Sequence, residues 1–128
     1  LELAIENARE GCVAETQAAL LVARQASAAT NEELRVDLAR IAADEASHAQ
    51  LAWDLHGIYL ERLNDDERRV LEAELEVALR RLEEGAEPPE PNAFERGMLG
   101  LPPVAEAVAL RRGLARQLRA AAAGLMAA

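Results

Sequence analysis

All five prolines of this 128-residue chain lie between Gly85 and Pro103, and the residues on either side of that stretch repeat with a helical period. Proline removes a backbone donor and clashes with the preceding turn, so it ends helices. The chain therefore divides into Pro-free segments that can be long helices and one Pro-rich connection at 85–103 that holds little helix beyond a turn near Phe94. Composition agrees: 51% of the residues are hydrophobic but only 2% aromatic, so the core must be Ala, Leu, Val and Ile, and Ala, Leu, Glu and Arg are strong helix formers. The expected fold is all-α, in one domain spanning 1–128.

Glu2 to Ala29 contains no Pro and one Gly, and reads as a single long helix. Thr30 stands three residues before Glu33, the spacing of a capping box, so a second helix over Asn31 to Leu63 follows almost without a loop. So short a connection makes the two helices antiparallel neighbours, and 1–63 is expected to be a long helix hairpin. Residues 64–128 supply two further helices. The first is capped by Asn64 and Glu67, buries Leu71, Leu75, Ala78, Leu79 and Leu82, and is stopped by Gly85. The second runs from Val104 to about Leu125. Phe94 and Met98 are expected to pin the connection to the bundle, and the charge runs Asp65 to Arg69 and Glu72 to Glu76 to be solvated faces.

Charge and cysteine usage narrow the function classes. A net charge of -9 argues against a nucleic-acid partner, because phosphate binding needs a basic surface, and favours a cationic metal. Cys12 is the only cysteine, so neither an intrachain disulfide nor a thiolate cluster can form from one chain. The longest apolar runs, Ala18 to Ala23 and Ala120 to Ala128, are too short for a membrane span. The chain opens on Leu1 rather than Met, which leaves room for a signal peptide, tag or domain upstream and leaves the compartment unread.

The chemistry-bearing stretch is Asp44 Glu45 Ala46 Ser47 His48. Glu45 and His48, three apart on a helix, share a face with Leu34, Leu38, Ile41, Ala49 and Ala52. A charge on an apolar stripe is expensive unless paired or metal-bound. The neighbouring helix offers two carboxylates. Counting from a turn at about residue 30, Glu15 is level with 45 and Glu10 with 50, and the helical wheel places Glu15 among small residues and Glu10 nearer the polar edge. Glu15 therefore ranks above Glu10. Cys12 reads as a small core residue, with Gly11 letting a helix approach, and His56 as a structural histidine.

Glu10 to Thr16 on one helix, followed by Ile41 to Trp53 on the next, resembles one helix pair of the ferritin-like carboxylate-bridged di-iron superfamily, most closely the C-terminal pair of bacterial ferritin-like domain proteins. The resemblance covers about residues 1 to 62. It implies a ferritin-like bundle, a metal set of Glu15 or Glu10 with Glu45 and His48, and Asp44 as an outer hydrogen-bond acceptor. It also implies Fe as the cofactor, with Mn or Zn compatible with such ligands, and oxidation of Fe(II) by dioxygen or peroxide. A two-metal centre needs two such pairs, whereas the second half of this chain has no His. A homodimer or homo-oligomer, as in the half-sized encapsulated ferritins, or an upstream helix pair is therefore expected to complete the site, with dimerisation building the four-helix core. The alternative is a helical structural or interaction module with a vestigial site.

Overall fold

The computed structural model describes residues 1–126, the last of them by its backbone alone. Among the described residues there are helices and no strands. The first helix, α1, is continuous but not uniform: an α-helical turn Glu2–Glu6, a π-helical stretch Asn7–Glu15, then α-helix over Thr16–Ala28. α2 spans Glu32–Arg62, α3 Asp65–Glu84, α4 Ala93–Met98 and α5 Val104–Met126. No helix among the described residues is long and apolar enough to cross a membrane.

Local sequence explains most of the boundaries. The cap of α2 is Asn31, whose side chain accepts from the Leu34 amide at 2.8 Å, rather than Thr30. Asn accepts this bond as readily as Thr does, and the amide of Thr30 is already donated to Gly97 O at 2.9 Å. Asn64 and Glu67 form the expected reciprocal box at the start of α3. A second box, Asn92 with Glu95, starts α4, so the turn expected near Phe94 is a short helix within the Pro-rich connection. Gly85 ends α3 with φ -55, not in the left-handed region. Its missing side chain matters for a different reason, because a Cβ would lie 2.9 Å from Arg81 O and 3.1 Å from Arg111 Nη1.

The core lies toward one end of the molecule. Ala4, Ala8 and Val13 of α1, Leu60 of α2, Leu71, Leu75 and Leu79 of α3, and Leu114, Ala115 and Leu118 of α5 form one buried cluster. Four long helices of this one chain thus make this core. At the other end the α1–α2 pair is thinly covered. Thr16–Ala28 buries no residue completely, and the buried positions of α2 begin only at Ala49.

Phe94 and Met98 do not pin the connection, being 63% and 37% exposed. Polar contacts to main-chain oxygens hold it instead: besides the Thr30 bond, Gln25 Nε2 donates to Leu99 O at 3.1 Å and Arg24 Nη1 to Gly100 O at 2.9 Å. Gly100 has φ +66, and a Cβ there would meet Gln25 O at 2.4 Å, so only glycine fits this close crossing. The run Glu72 to Glu76 is also not simply solvated. Glu74 pairs with Arg9 of α1, and Glu76, together with Glu83, pairs with Arg119 of α5.

Candidate metal centre

The site is built where α1 and α2 come closest. A Cβ on Gly11 would lie 2.6 Å from the Cβ of Ala52, so this pair of small residues lets the two backbones approach. Asn7 Nδ2 donates to Ala52 O at 2.9 Å and Cys12 Sγ to the same oxygen at 3.4 Å. The carbonyl of Ala52 thereby becomes an anchor for the π-helical stretch. Wide π turns are rare and recur at functional sites, and this one ends at Glu15.

From that end Glu15 faces Glu45 and His48, which stand one turn apart on α2. One ligand atom from each of the three lies within 4.8 Å of the others. His48 Nδ1 is 4.0 Å from Glu15 Oε2 and 3.8 Å from Glu45 Oε2. Glu45 is the most covered of the three at 27% side-chain exposure, while His48 is 63% exposed and opens outward. The Glu15 carboxyl is held above its ordinary value of 4.5, first because its protonated form hydrogen-bonds the Glu45 carboxylate, then through desolvation and repulsion from Glu45. His48 works in the opposite direction and Glu10 adds to the rise. Two carboxylates that repel each other at this range are a site suited to a divalent cation, which relieves the repulsion.

The structure brings together Glu15, Glu45 and His48 of the four ligand candidates. Glu10 stays outside the cluster, exposed, although close enough for its charge to be felt by Glu15. Asp44 is exposed as well. Cys12 is fully buried and its thiol is pushed up to about 12 by desolvation, which makes it a packing residue and no ligand. His56 is 2% exposed and lies edge-on to Trp53 with ring centroids 5.7 Å apart.

Sequence reasoning missed the polar layer behind the ligands. Trp53 Nε1 donates to Thr16 Oγ1 at 3.3 Å, and Thr16 Oγ1 donates to Cys12 O at 2.7 Å. Thr16 follows Glu15 directly, so this chain ties the end of the π stretch to α2. Its one sequence signal was a pair of small polar side chains, Asn7 and Thr16, flanking Gly11 and Cys12 in an otherwise Ala-rich helix.

Searches of protein-family models, curated proteins and solved structures gave no match to this chain. The class that fold and site define is therefore an all-α helical bundle carrying a Glu, Glu, His cluster between two of its helices.

Proposed function

We propose that this chain provides one half of a carboxylate-bridged metal centre of the ferritin-like di-iron type. The observation that carries the reading is the approach of Glu15, Glu45 and His48 to within one ion's reach across two helices. Two carboxylates and an imidazole with open positions suit Fe or Mn, and accept Zn. Glu15 and Glu45 supply oxygens to the ion, His48 a ring nitrogen, and the Asn7, Cys12 and Ala52 contacts fix the helix that carries Glu15. Bound iron would supply the redox chemistry, the oxidation of Fe(II) by dioxygen or peroxide.

Three ligands are half of a two-metal set, and a second Glu, Glu, His helix pair completes it, from a second copy or from upstream in the same chain. The outward face of α2 supports this. Ile41, His48, Leu51 and Ile58 are spaced by seven, three and seven residues, the repeat of a helix-packing seam, and the three apolar members are 45%, 58% and 43% exposed. The same seam favours the second reading, a helical interaction module that binds no metal.

The test is metal content by mass spectrometry after anaerobic Fe(II) loading, with light scattering, for the chain and for a Glu45→Ala, His48→Ala variant. Roughly one iron per chain, lost in the variant, is expected for a shared two-metal centre. Equal trace metal in both proteins leaves the interaction module.

A further inference from the structure

Thr16 stands where the π-helical stretch of α1 passes into α-helix. Its amide donates to Val13 O, three residues back, and its hydroxyl to Cys12 O, four back, at 2.7 Å. The one hydroxyl proton is thereby committed, and the oxygen is left to accept. Trp53 Nε1, which can only donate, does so to this oxygen at 3.3 Å. We propose that Thr16 and Trp53 are positioning residues for the metal centre, holding Glu15 against Glu45 and His48 so that a divalent cation meets its ligands already in place. The inference rests on the metal reading above and names groups that set the affinity of that site.

The ligands need such a restraint. With both carboxyls ionised, Glu15 and Glu45 repel each other. His48 Nδ1 lies 4.0 and 3.8 Å from their nearest oxygens, too far for a hydrogen bond to hold them together. The restraint therefore comes from the helices, and two ties supply it on adjacent residues of α2: Asn7 and Cys12 bond Ala52 O, and Thr16 bonds Trp53. The Thr16 tie is the nearer to the ligand, one Cα–Cα step of about 3.8 Å from Glu15.

Trp53 is itself fixed. Its ring packs against the core cluster and meets His56, which is 2% exposed, edge-on at 5.7 Å between centroids. Thr16 thus accepts from a donor with little freedom to turn away. A ligand held in place before the ion arrives loses less freedom on binding. Groups standing behind the ligands of a metal typically change its affinity by roughly 10–100-fold.

Trp53 is the only tryptophan of the chain, so its emission reads this contact directly. The experiment titrates the chain with Zn(II), a redox-inert ion, by calorimetry and by tryptophan fluorescence. Calorimetry is repeated on Thr16→Ser, which keeps the hydroxyl, on Thr16→Val, which removes it, and on Trp53→Phe, which removes the indole donor, with circular dichroism to confirm folding. Zn(II) binding is expected to weaken about tenfold in Thr16→Val and in Trp53→Phe and to stay within about threefold of the parent in Thr16→Ser. Parent Trp53 emission shifts with the calorimetric midpoint. In a Glu15→Gln background Thr16→Val has no further effect, which separates positioning of Glu15 from a general loosening of the helices. Folded Thr16→Val and Trp53→Phe that bind Zn(II) as the parent does, or a further loss from Thr16→Val in the Glu15→Gln background, overturn the proposal and leave the metal reading standing. Binding by the parent no tighter than by Glu45→Ala, His48→Ala removes the metal reading and this proposal with it.

Discussion

At the scale of single residues, two positions show how packing sets chemistry. The Nδ1 atom of His56 is buried without a hydrogen-bond partner, and desolvation holds its pKa below the ordinary 6.5. The folded state then binds the proton less readily than the unfolded state, so stability falls as pH drops through about 6.5 and levels off below the depressed folded value. Urea unfolding between pH 7.5 and 5 is expected to show a slope of up to about 1.4 kcal/mol per pH unit that His56→Leu lacks. An identical slope in both proteins assigns the acid sensitivity elsewhere. At Gly11, substitution by Ala pushes a methyl group to 2.6 Å from Ala52 and forces the helices apart. The expected loss is about 1–3 kcal/mol by urea unfolding, partly recovered in the Gly11→Ala, Ala52→Gly double variant. No coupling between the two sites means that the close approach is not limiting.

Among the elements, α1 and the Pro-rich connection each rest on a local device. The π-helical stretch keeps its place through Asn7, whose amide reaches Ala52 O across the helix interface. Asn7→Leu removes the donor and leaves that carbonyl with the weaker thiol bond, so a loss of about 1–3 kcal/mol is expected, with a shift in the near-ultraviolet signal of Trp53. Unchanged stability would show that the thiol alone secures the stretch. The connection depends on Gly100. Gly100→Ala places a side chain at φ +66 against Gln25 O, and a loss of at least about 1–2 kcal/mol is expected. Proteolysis within 85–103 should accelerate in the same variant. These devices were only partly legible: the spacing of Asn64 and Glu67 announced a cap, and the prolines announced the connection, but the register of the π turns depends on what α2 presents to them.

For the whole molecule, the distribution of burial is the governing feature. Core residues gather where α3 and α5 cover the α1–α2 pair, and the ligand-bearing end is left with half-buried apolar side chains. Leu51 is 58% exposed on the seam that carries His48. Leu51→Lys is expected to change monomer stability by less than about 0.5 kcal/mol, as surface substitutions do. Where a second copy completes the centre, it abolishes concentration-dependent association in sedimentation velocity and lowers iron loading with it. Iron loading that survives in a monomer points to a single-ion site held by Glu15, Glu45 and His48 alone.

The all-α architecture follows from sequence by itself, because helical periodicity and confined prolines are properties of neighbouring residues. Glu45 and His48 as a pair were legible for the same reason, since a spacing of three puts both on one helix face. The choice of Glu15 over Glu10 needed the turn position and the wheel, and its geometry came only from the tertiary contact of Gly11 with Ala52, which sets how close the helices come. Tertiary structure alone decided that Phe94 and Met98 face outward and that Glu74 and Glu76 tie helices together. Each of these depends on which distant surfaces meet, and hydrophobic pattern specifies that a face is covered without specifying by what.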